Sequence, residues 1–168
     1  MLIHKDGVPE FNPFQLIGKD WLLIGAGKKD DYNAMTASWG TMGVLWNKNV
    51  ISVVIRPQRY TYQFFESEDY FTVTVLKSGY EDAYRIFGRK SGRDCNKTEL
   101  AGLTPCFLDR AVTFEEAKIA FVCKKIYVQD LDPKGFVDPS IDEKNYPEKD
   151  YHRLYCGEIV DILVNETN

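Results

Sequence analysis

The sequence predicts a mainly β fold with short helices, an antiparallel barrel of Greek-key type that is closed or partly closed. Three observations predict it. Apolar residues fall in short runs rich in β-branched and aromatic side chains, bounded by turn residues. Helical patterns are few and brief. Strand-like and helix-like segments do not alternate regularly, and Gly25 and Gly27 lack the third glycine and the helix of a G-x-G-x-x-G turn, which disfavours a doubly wound parallel sheet.

Each element follows from its residues. Residues 1–13 form a polar N-terminal extension holding Asp6, Pro9 and Glu10, without the apolar core of a signal peptide. Residues 21–25 read as a strand ended by a Gly25-Ala26-Gly27 turn, and residues 33–39 as a second strand that breaks at Gly40. The β-branched run 50–55 is a buried strand ending at Arg56-Pro57. Residues 57–68 read as a helix, because Pro57 suits a helix start and Tyr60, Phe64 and Phe65 share a face. Residues 71–76 alternate with period two around Thr72 and Thr74. Residues 81–87 and 97–101 are short helices, 112–129 is one long or two short strands, and 157–164 is a closing strand. Between them, residues 130–151 carry Pro133, Pro139, Pro147 and many charges, and read as a surface loop excursion.

Length and composition bound the function. A chain of 168 residues is the size of one domain, with 44% hydrophobic and 27% charged residues as in ordinary globular proteins. The net charge of −4 comes without a basic stripe, which argues against a nucleic-acid partner. No apolar run is long enough to cross a bilayer, so no membrane partner and a cytoplasmic location are expected. Cys95, Cys106, Cys123 and Cys156 form no C-x-x-C pair and have no histidine cluster beside them, so free thiols and no metal site are expected. Aromatic residues, 14% of the chain, supply flat side chains for a core or for stacking on a planar ligand.

Two segments carry the candidate chemistry. In N-A-M-T-A-S-W-G, residues 33–40, small and hydroxylated side chains interleave up to a strand end. Small side chains let a flat ligand approach the backbone, and N–H groups beyond a strand end donate to ligand acceptors, as an isoalloxazine ring requires. A strand end with Ser and Thr also occurs with no ligand at all. In I-R-P-Q-R-Y-T, residues 55–61, a buried strand passes into a helix whose first N–H groups suit a phosphate, with Arg59 as a fork of donors and Thr61 as a hydroxyl. An arginine paired with a surface carboxylate reads the same way. The basic run 85–97 is a polar loop, either solvated or sized for a small anion.

M-T-A-S-W-G at 35–40, V-I-S-V-V-I-R-P-Q-R-Y-T at 50–61, G-R-K-S-G-R-D at 88–94 and Y-H-R-L-Y-C-G-E-I-V-D at 151–161 together resemble the flavin reductase-like family of FMN-binding split barrels, and its flavoredoxin-type members in particular. The resemblance spans roughly residues 14–164. It implies a split β-barrel, an FMN cofactor and a homodimer whose second chain covers part of the cofactor groove. It further implies that Asn33, Thr36, Ala37, Ser38 and Trp39 contact the flavin ring and ribityl chain. Arg59 and Thr61 would hold the phosphate, and Lys90 would reach the cofactor from the basic loop. Met35, Arg56 and Tyr60 lie within the same motifs and complete the expected cofactor-binding set. His152 would sit at the substrate face as the catalytic candidate, orienting a nicotinamide or shuttling a proton near neutral pH; an ordinary strand-edge histidine is the other reading.

The implied function is an oxidoreductase that takes hydride from NAD(P)H onto the flavin and passes electrons onward. Two alternatives stay open: a flavoredoxin-like electron-transfer protein reduced by a redox protein, and a non-redox flavin-binding module. Arg85, Arg89 and Arg93 are candidates for a 2′-phosphate contact in choosing NADPH over NADH.

Overall fold

The computed structural model describes residues 1–166. Its strands are β1 (Leu2–His4), β2 (Leu22–Lys28), β3 (Asp31–Ala37), β4 (Gly40–Leu45), β5 (Lys48–Ile55), β6 (Tyr70–Leu76), β7 (Pro105–Phe107), β8 (Val112–Phe114), β9 (Ala117–Asp130) and β10 (Arg153–Asn165). Five short α-helices connect them: α1 (Pro13–Gln15), continued by a π-helical turn at Leu16–Asp20, α2 (Thr61–Ser67), α3 (Glu81–Arg89), α4 (Lys97–Leu100) and α5 (Pro139–Asn145). The main sheet runs β3-β2-β6-β9-β10-β5-β4 with β1 added on β10, and β7 pairs β8 separately. All the pairings are antiparallel, and the edge strands β3 and β4 are not hydrogen-bonded to one another, so the barrel is split.

The period of two builds the core. Leu22, Ile24 and Ala26 of β2, Ile51, Val53 and Ile55 of β5, and Phe71, Val73 and Val75 of β6 all enter one buried cluster. Helix α2 plugs it: the Phe65 ring lies 5.1 Å from that of Phe71 and 5.2 Å from that of Tyr155. Phe65 and Phe71 are each 1% exposed, so truncating either to Ala costs about 3–5 kcal/mol. The other face of β2 and β3 is covered by α3, where Leu23 and Ala34 meet Ala83, Tyr84 and Phe87. Strand β2 is therefore apolar on both faces, which explains its unbroken hydrophobic run.

The elements differ from the sequence expectation in five places. Strand β2 does not turn at Gly25-Ala26-Gly27 but runs through to Lys28. Gly27 takes φ +114°, and a Cβ there would fall 2.4 Å from the Asp31 carbonyl oxygen, so this glycine permits close approach within the β2–β3 hairpin. Gly40 does not end a strand; it opens β4, where a Cβ would meet the Ser52 carbonyl oxygen at 2.7 Å. The β4–β5 hairpin turns at Trp46-Asn47, both with positive φ as a type I′ turn requires. Helix α2 starts at Thr61 rather than Pro57, because residues 56–59 close a turn with the Arg59 N–H on the Arg56 carbonyl at 3.0 Å. The closing strand β10 begins at Arg153 rather than at residue 157, whereas the 112–129 segment is two strands, β8 and β9, as one of the two expected readings has it.

The fifth difference is residues 130–151, which are not a plain loop. They hold a 3₁₀ turn, Pro133–Gly135, and helix α5, each opened by an aspartate, Asp132 or Asp138, whose side chain accepts from a backbone N–H. Phe136, Tyr146 and Tyr151 pack their rings 4.9–6.1 Å apart beneath α5. The N-terminal extension also contributes structure: β1 pairs β10, and His4 forms an ion pair with Asp161 that raises the His4 pKa. All four cysteines are free thiols, with Cys123 and Cys156 buried. Among the described residues no helix is long and apolar enough to cross a membrane.

Candidate functional site

Strand β3 positions one wall of the site. Asn33 is 5% exposed, and its side-chain amide donates to Thr61 Oγ1 at 2.7 Å, tying β3 to the start of α2. Two residues on, Met35 and Ala37 are buried, while Thr36 points the other way and donates its hydroxyl to the Tyr84 carbonyl of α3 at 2.5 Å. The chain then leaves the sheet edge at Ser38 and Trp39, both exposed, before β4 begins. Met35, Thr36, Ala37, Ser38, Trp39, Val54, Arg56 and His152 line a shallow cavity of about 260 Å³. Met35, Ala37 and Val54 give it an apolar part, Trp39 an indole, and Thr36, Ser38, Arg56 and His152 polar groups, a lining that could receive a flat ring.

A second cavity, about 140 Å³, lies between the turn before α2 and the loop after α3. Asn33, Tyr60 and Thr61 form its neutral wall, and Arg59, Arg89, Lys90, Arg93 and Lys97 supply five cations. No carboxylate lines it, and none of these five cations has an ion-pair partner among the described residues. Like charges held together without counter-ions repel, and an anion in the cavity relieves that. The Arg59 guanidinium donates to the Gly88 carbonyl at 3.0 and 3.1 Å and to the Phe87 carbonyl at 3.4 Å, at the negative end of α3, and burial lowers its pKa. Arg93 lies over the Tyr60 ring at 4.9 Å. Lys90 is exposed on the outer lip.

Thr61 completes this cavity. Its oxygen accepts from Asn33, and its own hydroxyl proton has no acceptor among the described residues, although the residue is 1% exposed. That leaves the hydroxyl able to donate to an acceptor in the cavity. Gly88 links the two cavities: its carbonyl holds Arg59, and its Cα side faces Thr36, where a Cβ would lie 3.5 Å from the Thr36 Cβ.

His152 immediately precedes β10 and is 9% exposed. Its Nδ1 lies 2.8 Å from the Tyr146 hydroxyl and its ring 5.4 Å from that of Trp39. Burial, reinforced by the Arg56 charge, lowers its pKa to about 4. At neutral pH that shift favours the neutral imidazole. Arg56 braces the same corner. It donates to the Asn145 carbonyl at 2.8 Å, pairs with Asp150, and stacks over the Tyr146 ring at 5.1 Å.

The expected site residues thus divide into two groups joined at Gly88. Met35, Thr36, Ala37, Ser38, Trp39, Arg56 and His152 gather at the flat cavity; Asn33, Arg59, Tyr60, Thr61 and Lys90 gather at the basic one. Two participants were not expected. Lys97 is 5% exposed, donates to the Ala34 carbonyl at 2.5 Å, and has its pKa lowered to about 8 by burial and then by the Arg59 charge. It closes the basic run 85–97, which was the available signal. Tyr146 comes from the excursion, where three clustered aromatics were the signal that residues 130–151 pack against something.

The fold is thus a split antiparallel barrel that carries a basic cavity beside a shallow one. The chain belongs to the flavin reductase like domain family, whose model matches residues 16–168. Among solved structures it is similar to flavoredoxin from Methanosarcina acetivorans, at 19% identity and TM-score 0.68 over 96% of this chain and 77% of that one. It is similar to the FMN-binding protein from Thermus thermophilus, crystallised with p-hydroxybenzaldehyde, at 18% identity and TM-score 0.70 over 97% and 81%. A split-barrel protein from Shewanella frigidimarina assigned to the flavin reductases matches at 20% identity and TM-score 0.68 over 89% and 68%. No curated protein sequence matches the chain.

Proposed function

We propose that this chain binds FMN across the two cavities and is an NAD(P)H-dependent flavin oxidoreductase that delivers the electrons to a further acceptor. The observation that carries the reading is the basic cavity, with its five uncompensated cations and the unaccepted Thr61 proton, next to a flat slot edged by Trp39. Arg59, Thr61 and Lys97 would hold the phosphate through charge-assisted hydrogen bonds. Lys90 would add charge from the rim, and Asn33 and Tyr60 would fix the walls. Met35, Thr36, Ala37, Ser38 and Trp39 would receive the ring, with Arg56 and His152 at its edge.

Bound there, FMN would supply two-electron acceptance and release, the step no side chain of the protein performs. The protein contributes orientation and a slot edged by Trp39. The half-exposed Trp39 indole, 47% accessible, leaves a flat face for a visiting nicotinamide. The active unit is proposed to be a homodimer, because the β4–β5 hairpin leaves Val44, Leu45 and Trp46 exposed at the sheet edge.

Titration with FMN, with riboflavin as the phosphate-free control, tests the binding. A protein that takes up neither flavin would refute the reading. Stopped-flow mixing of the FMN-loaded protein with NADH and NADPH tests the donor; bleaching too slow for turnover would assign the donor role to a redox protein instead. Sedimentation analysis tests the dimer.

A further inference from the structure

We propose that Tyr146 is a positioning residue that locks His152 in the Nε2–H tautomer, so that the imidazole presents a hydrogen-bond donor to an acceptor atom of the ligand in the flat cavity. The ligand half of this rests on the function proposed above; the lock itself does not.

The direction of the Tyr146–His152 hydrogen bond follows from what each group has left over. The 2.8 Å contact joins the Tyr146 hydroxyl to Nδ1. Tyr146 is 3% exposed, and its hydroxyl has no other hydrogen-bond partner among the described residues. If Nδ1 carried the proton and donated, the hydroxyl proton would be buried with no acceptor, an arrangement folded proteins avoid. If the hydroxyl donates, both groups are satisfied and Nδ1 is the acceptor. A neutral imidazole then carries its one proton on Nε2.

The charged surroundings keep the ring neutral and the hydroxyl protonated. Arg56 stands over the Tyr146 ring, and its charge disfavours a second proton on His152; Asp150 opposes it but is engaged by Arg56 and by Gln58. Burial raises the Tyr146 pKa. The ring is held from both sides, by Trp39 at 5.4 Å and by Tyr146 at 5.5 Å with the rings crossed at 81°. The backbone beneath is pinned where the Leu131 N–H donates to the His152 carbonyl at 2.9 Å.

Nε2 makes no hydrogen bond among the described residues, and it is not among the atoms sealed inside the protein without a partner. His152 lines the flat cavity, and with Nδ1 taken by Tyr146 the Nε2–H is the ring donor left for a ligand there. A donor there recognises a carbonyl oxygen or ring nitrogen lying near the imidazole plane. Two sources carry that chemistry: the pyrimidine edge of a flavin and the carboxamide of a nicotinamide.

The lock is read on the protein without added flavin. Long-range ¹H–¹⁵N spectra of ¹⁵N-histidine-labelled protein at pH 7 distinguish the two tautomers. His4→Gln, at an exposed position away from the cavity, assigns the only other histidine. The expected result is an Nε2–H signature in the wild type that becomes a tautomer mixture in Tyr146→Phe. An Nδ1–H signature in the wild type, or the same tautomer in both proteins, overturns the lock.

The ligand half is read by a double-mutant cycle. Tyr146→Phe is expected to weaken binding about three- to tenfold, the fold-change of one neutral hydrogen bond. His152→Gln places an amide donor where Nε2 stood and needs no lock, so adding Tyr146→Phe to it should change nothing further. A loss in FMN affinity measured without nicotinamide assigns the acceptor to the flavin; a rise only in the KM for NAD(P)H assigns it to the nicotinamide. Unchanged values for both, with the tautomer altered, overturn the ligand half. A protein that binds no flavin while keeping the Nε2–H signature overturns the proposed function and leaves the lock standing.

Discussion

The side-chain amide of Asn33 and the hydroxyl of Thr61, 28 residues apart, meet at 2.7 Å in the interior, so the strand that walls the flat cavity and the helix start that walls the basic one are a single rigid corner. Neither residue has water to fall back on. Thr61→Val keeps the shape of the threonine and strands the Asn33 amide. It should cost about 1–3 kcal/mol in urea unfolding. A smaller effect would mean that Asn33 finds another acceptor.

Arg59 has two engagements, the carbonyls at the end of α3 and the proposed phosphate. Arg59→Ala should weaken FMN about 10- to 100-fold, the size of a charge-assisted hydrogen bond, and riboflavin far less. Equal losses for both flavins, measured by fluorescence titration, would mean that Arg59 acts through the α3 terminus alone.

Lys97 gives the anion cavity a pH signature. Its pKa is lowered from 10.5 to about 8, whereas a bound phosphate favours the charged form. FMN affinity should therefore fall as pH rises through 8, by up to about tenfold per pH unit, while riboflavin affinity stays flat. In the flavin-free protein the unfolded chain holds the extra proton between about 8 and 10.5, so stability should rise with pH across that window. Lys97→Met should remove both trends.

His152 titrates on the acid side. Its folded pKa of about 4 lies below the ordinary 6.5, so the unfolded chain binds more protons between these values. Stability should increase as pH rises from about 4 to 6.5 and gain nothing more from this group above that. The span should be on the order of 3 kcal/mol and should flatten in His152→Gln, as read by urea unfolding at a series of pH values.

Trp39 reports on the ring. If the indole edges the bound isoalloxazine, Trp39→Ala should raise the emission of bound flavin by removing a quencher. Unchanged emission would take Trp39 out of the site.

Legibility in the sequence tracked local pattern. The strands at Lys48–Ile55 and Tyr70–Leu76 announce themselves because their buried faces alternate or fill with β-branched residues. Strand β4 does not, because Gly40 and Gly43 look like breakers and Val44 and Leu45 are exposed, so no buried face marks it. The site was legible where its residues are adjacent in sequence, as in residues 35–39 and 56–61. Lys97 was not, since its isolation from carboxylates is a property of packing between α3, α4 and β3. The Tyr146–His152 pair was not, because it depends on how a segment with three prolines folds back on itself. Arg59 was expected in the first turn of a helix, and the Arg56–Arg59 turn, set by Pro57, put it one step earlier.

Strand β10 is flanked along its length by β9, by β5 over Arg153–Glu158 and by β1 over Leu163–Asn165. Among the described residues it is the last strand in chain order, yet it sits inside the sheet and is the one strand that joins the β4–β5 hairpin to the rest. Residues 1–152 include every residue that lines the two cavities, but not the strand that links Val54 of β5 to Gln129 of β9. Removing β10 would therefore leave the residues that line both cavities in the chain and take away the strand that holds the β4–β5 hairpin to the sheet.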